Sequence, residues 1–257
     1  MFYNDYFCRP MKMKNNSKWF ETWFNSRYYH ILYNNRDEQD AEFFLDHLIA
    51  YLQPQKEDRI LDLACGRGRH SIYLNKKGFD VVGVDLSPES IAYASTFENE
   101  KLLFEVHDMR NLLCTNNFQY VLNLFTSFGY FERKWENEKV ILNISKTLVP
   151  GGKLILDFLN VAPIKRGDYK EDVKIIEGIS FRLNKVIKDQ FIIKSIDFTD
   201  AQTDFHFEEK LSLLKPEDFE QFFKKAGLEI EAIFGDYSLS PFNVDHSPRL
   251  IYCVVKR

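Results

Sequence analysis

The sequence predicts an α/β fold: a parallel sheet preceded by two helices and carrying an antiparallel β meander inserted before its last elements. Three observations carry this. Residues 59–70 read as a short apolar strand that runs into a glycine turn and opens a helix. From there to Leu159, strand-like and helix-like stretches alternate, the order of a parallel sheet with right-handed crossovers. From about Val173 to Leu214 the apolar period becomes two, with Lys188-Asp189-Gln190 and Asp200-Ala201-Gln202 at the turns.

Taken in order, residues 1–17 are expected to be a flexible N-terminal extension. Asp5 interrupts their apolar stretch, a signal-peptide core is lacking, and Met11 and Met13 follow closely. Residues 19–33 carry Phe20, Trp23, Phe24, Tyr28, Ile31 and Leu32 at the spacing of a helix stripe. A second helix, 38–52, puts Ala41, Phe44, Leu45, Leu48 and Ile49 on one side and ends before Pro54. Next come strand 59–64, helix 69–77 stopped by Gly78, strand 79–85, helix 88–98 with Ser87 as its cap, and strand 102–107. Strand 118–125, helix 132–148, a turn at Pro150-Gly151-Gly152 and strand 153–159 complete this alternation.

The meander is expected as strands 179–187, 191–199 and 205–214. Pro216 then opens a helix whose Phe219, Phe222, Phe223 and Ala226 share one face, and Gly227 closes it. Runs 228–234 and 250–255 form a final strand pair. The predicted organisation is therefore a core over 18–160, an insertion over 161–214, and 215–257 completing the core sheet.

Composition narrows the function. A formal charge of −4 over 257 residues argues against a surface that coats nucleic acid. Cys8, Cys65, Cys114 and Cys253 are widely spaced and show no C-x-x-C pattern, so no metal site is predicted and reduced thiols in a cytoplasmic protein are expected. No run of about 20 apolar residues marks a membrane span. The 24 Phe and 13 Tyr predict an aromatic core, with an aromatic-lined pocket as a smaller addition.

The chemistry centres on Leu61-Asp62-Leu63-Ala64-Cys65-Gly66-Arg67-Gly68. Gly66 and Gly68 permit positive φ and close approach of backbone to a ligand, and the N–H groups opening the helix are available to a polar group. A lone G-x-G is a weak signal. Here Asp85 ends the next strand about 20 residues on, where dinucleotide folds place a ribose-binding acid, and Asp108 follows the third strand. Ligands of open α/β sheets bind beyond the carboxyl ends of the strands, which sets Asp62, Asp85, Asp108, Phe125 and Asn160 along one rim.

The glycine segment, Asp85 and Asp108-Met109-Arg110 together resemble the class I S-adenosylmethionine (SAM)-dependent methyltransferases, over roughly residues 20–160. The resemblance implies a Rossmann-like seven-stranded sheet ending in a hairpin, with SAM as cofactor and S-adenosylhomocysteine (SAH) as its product. By that resemblance the loop of Gly66 and Gly68 passes under the methionine part, Asp85 holds the ribose hydroxyls and Asp108 lies beside the adenine. Asp62, Ala64, Cys65, Leu86, Ser87, Met109 and Arg110 are expected to be cofactor-binding as well. Tyr29, Tyr33 and Arg36 would meet the SAM carboxylate, the alternative being a surface arginine and core tyrosines. The family commonly has Gly where this chain has Ala64, whose φ is accordingly expected to be negative.

Methyl transfer is an in-line displacement that needs a positioned nucleophile and excluded water; a base is required only where the acceptor must lose a proton. The acceptor segment is expected at 124–130, where Phe125 and Thr126 also line the cofactor. It lacks the Asn/Asp-Pro-Pro-Tyr/Phe run of adenine-N6 and glutamine methyltransferases, and it somewhat resembles small-molecule N-methyltransferases, including those acting on amino sugars. A small-molecule N or O acceptor is expected. His246, in loop 243–249, is the preferred candidate base and His206 the next. The insertion is expected as a lid or a dimer contact, in a monomer or homodimer without membrane or nucleic-acid partners. Two other readings remain. One is a non-catalytic SAM-binding scaffold. The other is a nicotinamide oxidoreductase, against which stand Ser71 at the third glycine position and the lack of an evident catalytic Tyr/Lys pair.

Overall fold

A computed structural model describes residues 19–34, 38–167 and 171–257; the expected extension 1–17 lies outside them. The chain opens with helices α1 (Trp19–Phe24), α2 (Arg27–Asn34) and α3 (Glu38–Leu52). The alternating core follows as β1 (Arg59–Leu63), α4 (Arg69–Lys76), β2 (Asp80–Asp85), α5 (Pro88–Ala94), β3 (Leu102–Val106), β4 (Phe118–Asn123), α6 (Lys134–Thr147), β5 (Leu148–Leu159) and α7 (Val161–Lys165). The insertion is β6 (Asp172–Ile176), β7 (Ile179–Lys188), β8 (Phe191–Asp200) and β9 (Thr203–Ser212). Helix α8 (Pro216–Ala226) and strands β10 (Leu228–Phe234) and β11 (Arg249–Lys256) end the chain.

Seven strands form one sheet in the order β10-β11-β5-β4-β1-β2-β3. Strands β1 to β5 are parallel, and β11 lies antiparallel between β5 and β10. Winding reverses at β1, which has β2 on one side and β4 on the other, and this opens a crevice at the carboxyl ends. The period of two divides side chains between the faces. Leu154, Leu156 and Phe158 join the core with α6 and α8, while Ile155 joins Phe44, Leu48 and Val81 under α3. In α8, Phe219, Phe222 and Phe223 are almost fully buried against Tyr252 and their neighbours. About 1.5–3 kcal/mol per buried ring outweighs the modest helix propensity of phenylalanine.

Four local expectations change. The stripe 19–33 is two helices, not one, because Ser26 breaks it and its hydroxyl caps Tyr29 N at 3.1 Å. The helix expected over 88–98 is shorter and ends in one 3₁₀ turn at Ser95–Phe97. Pro150-Gly151-Gly152 forms no free turn but an irregularity inside β5, between the Phe118–Leu148 and Tyr120–Lys153 pairings. The meander has a fourth strand, β6, at one edge of the sheet β6-β7-β8-β9.

The inner face of that second sheet packs on the N-terminal helices. Trp23 and Leu32 share a third core with Phe181, Leu183, Ile196 and Phe198. Among the described residues no helix is long and apolar enough to cross a membrane. No group of three or more described His, Cys, Asp or Glu residues could hold a metal ion. Cys65, Cys114 and Cys253 are buried and not disulfide-bonded.

Candidate functional site

The turn after β1 is tied to the neighbouring strand, because Ala64 N and Cys65 N both donate to Val84 O, at 2.8 and 3.0 Å. Two successive donors aimed at one carbonyl bend the chain sharply, and Ala64 adopts φ +66°. The expected negative φ at Ala64 is therefore corrected: the turn needs the left-handed conformation, and alanine adopts it at a cost of about 1 kcal/mol. The two glycines serve different ends. A Cβ on Gly68 would fall 2.6 Å from the Phe104 ring, whereas one on Gly66 would meet nothing within 4 Å.

Three aspartates surround this turn and differ in environment. Asp85 Oδ2 accepts from Gly66 N at 2.9 Å and Oδ1 from Ser87 N at 2.8 Å, and the backbone of Leu86 also bonds the carboxylate. Burial raises its pKa. Asp62 lies beneath the turn, 1% exposed, and accepts from Ser71 Oγ at 2.6 Å. Burial pushes its carboxyl up to about 6. At Asp108 burial acts upward too, but the Arg110 hydrogen bonds outweigh it and hold the carboxyl below its usual range. Arg110 also bonds Glu136 on α6 at 3.0 Å.

A second sharp turn follows β4, with Phe125 at φ +55° and Thr126 at +59°. Asp157 of β5, fully buried, holds it. Its Oδ2 accepts from Phe125 N at 2.7 Å and its backbone oxygen from Thr126 N at 3.0 Å. Arg249 of β11 pairs with Asp157 Oδ1 at 2.7 Å and donates to Thr126 Oγ1 at 2.8 Å. His70 stacks on Phe125 with ring centroids 5.0 Å apart. Arg69 Nη2 lies 3.2 Å from His70 Nε2, and since a guanidinium only donates, Nε2 accepts and Nδ1 carries the proton. Burial pushes the His70 pKa down to about 3, leaving it neutral.

These turns border a cavity of about 570 Å³ at the carboxyl ends of the strands, in the size range of small-molecule sites. Of the predicted residues, Ala64, Cys65, Gly66, Asp85, Leu86 and Ser87 line it from the loops after β1 and β2. Asp108 and Met109 line it from beyond β3, Phe125 and Thr126 from beyond β4, and Tyr33 from α2. Asp62, Gly68 and Arg110 stand behind the wall and brace it through Ser71, Phe104 and Asp108. Arg36 lies outside the described residues.

The structure does not bring His246 to the cavity. Asn160, expected at the rim, instead donates to Val244 O and Ser247 O at 2.8 Å each, folding loop 243–249 so that His246 faces outward, exposed. His206 is also exposed and bonds Asp197 at 2.6 Å. The histidines on the cavity wall are His30, His70 and His107. Sequence reasoning missed Asp157 and Arg249, although a carboxylate inside the apolar run 154–158 was the available signal. It also missed Glu209 of β9, which lines the cavity and accepts from Tyr33 Oη at 2.5 Å and Trp23 Nε1 at 2.8 Å.

Residues 60–152 match the family model described as a methyltransferase domain. The chain is 27% identical over 198 residues to YqeM of Bacillus subtilis (strain 168), a methyltransferase by name, covering 72% of this chain and 78% of that one. It is 33% identical over 135 residues to the glycine/sarcosine N-methyltransferase of Aphanothece halophytica, covering 51% of this chain and 49% of that enzyme, so it spans about half that relative's length. Among solved structures, an S-adenosylmethionine-dependent methyltransferase from Clostridium acetobutylicum ATCC 824 superposes with a TM-score of 0.75 at 22% identity, covering 89% of this chain and 96% of that one.

Proposed function

We propose that the chain, whose residues 60–152 match a methyltransferase domain and whose fold is that of a solved S-adenosylmethionine-dependent methyltransferase, moves the methyl group of SAM to a nitrogen or oxygen of a small molecule. The observation that carries this reading is the gathering of Gly66, Asp85 and Asp108 on one wall of the cavity. The residues fit the cofactor. A Cβ on Gly66 would enter open space, so its hydrogen leaves room for the methionine part of the cofactor, and the Asp85 carboxylate on the cavity wall can still accept from a hydroxyl.

Bound SAM supplies a methyl on a cationic sulfur that departs as a neutral thioether, so the leaving group needs no acid. The chain's task is placement. Asp85 would accept from the ribose hydroxyls, and Asp108, held by Arg110, would lie beside the adenine. The turn at Phe125 and Thr126, clamped by Asp157 and Arg249, sets the wall nearest the acceptor. Helices α1 and α2, with the meander above them, exclude water. Calorimetric titration with SAH tests the reading: saturable micromolar binding is expected, and no binding at high micromolar concentration would overturn it.

A further inference from the structure

One stretch of the cavity wall owes nothing to the loops after β1, β2 and β3. Tyr130, from the loop after β4, packs against Phe24 of α1 with ring centroids 5.4 Å apart. Phe24 packs on Tyr29 of α2 at 5.0 Å, and Tyr29 on Tyr33 at 4.9 Å. Tyr33 Oη then donates to Glu209 Oε1. All five residues line the cavity. The Glu209 carboxylate accepts from Tyr33 Oη and Trp23 Nε1, both on Oε1. Lys194, its cross-strand neighbour, forms an ion pair with Oε2 at 3.6 Å and also donates to Tyr33 Oη, but it is not part of the cavity wall. The cavity thus meets four aromatic rings in a row that ends in a carboxylate, whose paired lysine is not part of the wall.

We propose that this row is the acceptor subsite and that it takes an amine in its protonated, cationic form. This rests on the methyltransferase reading above and narrows its acceptor to an amine nitrogen. Ring faces attract a cation, and more strongly away from water; Glu209 supplies the opposite charge. A neutral hydroxyl gains neither. For transfer, the ammonium gives one proton to Glu209 and the freed lone pair forms the new N–C bond. The C–S electron pair stays on sulfur. The product is an N-methyl ammonium that keeps its charge, and Glu209 returns its proton to solvent.

The test uses the full chain saturated with SAH, titrated calorimetrically with choline and with 3,3-dimethyl-1-butanol, which share a shape and differ in charge. Choline is expected to bind at least about tenfold tighter. Glu209→Gln should reduce that ratio to about threefold or less without changing SAH affinity. Tyr130→Leu should weaken choline about three- to tenfold and leave the alcohol unchanged, a readout that stands if the Glu209 variant does not fold. Equal affinities for the two probes with normal SAH binding overturn this proposal alone. So does a Glu209→Gln chain that loses SAH affinity but keeps the discrimination, because Glu209 would then serve the cofactor's own amino group. Failure of the native chain to bind SAH overturns the methyltransferase reading itself.

Discussion

At the scale of single residues, the site depends on backbone turns that side chains hold in place. Asp85 is the plainest case. Its oxygens accept from Gly66 N and Ser87 N, and its carboxylate lines the cavity. Asp85→Ala should weaken SAH binding by about 1–3 kcal/mol in a calorimetric titration, the value of charged hydrogen bonds; unchanged affinity would remove Asp85 from the ribose site. Ala64 is the opposite case, a residue at odds with its conformation. At φ +66° glycine is the better fit, and Ala64→Gly should raise stability to urea by about 0.5–1 kcal/mol. Residue type and spacing in the sequence marked Gly66, Asp85 and Asp108, all of which line the cavity. They did not display the sign of φ at Ala64, which depends on Val84 O in another strand.

At the scale of elements, β5 and β11 do more than fill the sheet. Asp157 and Arg249 reach from these two strands to the turn after β4 and hold Phe125 and Thr126 in left-handed conformations. Arg249→Leu leaves the Asp157 carboxyl buried without its counter-ion. It should cost about 3 kcal/mol of stability, measured by denaturant unfolding, and Arg249→Lys should recover part of the loss. A result near zero would mean that the pair does not brace the turn. The strand periods were legible because each face alternates cleanly, as Leu154, Ile155 and Leu156 show. The break at Ser26 was not, because apolar spacing continues across it while a hydroxyl takes the backbone donor. His246 misled for a related reason: its loop lies beyond the right strands, but Asn160 decides which side faces the cavity.

At the scale of the whole molecule, buried carboxylates set a pH response opposite to that of surface ion pairs. Asp62, Asp85 and Asp157 all have pKa values raised by burial, Asp62 to about 6. A group that holds its proton more tightly when folded stabilises the protein at low pH. That contribution is fully present below the unfolded value and lost as pH rises through the folded one. The Asp62 contribution should therefore decline between about pH 4 and pH 6, by roughly 3 kcal/mol. Comparing the unfolding free energy of the native chain with that of Asp62→Asn across this range isolates it: the difference should shift steadily in the variant's favour as pH rises. A flat difference would mean that Asp62 keeps an ordinary pKa in its buried place.

Trp23 and Leu32 belong by packing to the late insertion rather than to the early sheet beside which they are translated. An engineer seeking to change what this scaffold accepts cannot graft the insertion by itself. The opening helices and the four-stranded flap form one cassette, split by about half the gene. A chimera that exchanges both halves keeps its buried seam, whereas one that exchanges either alone sets two strangers face to face.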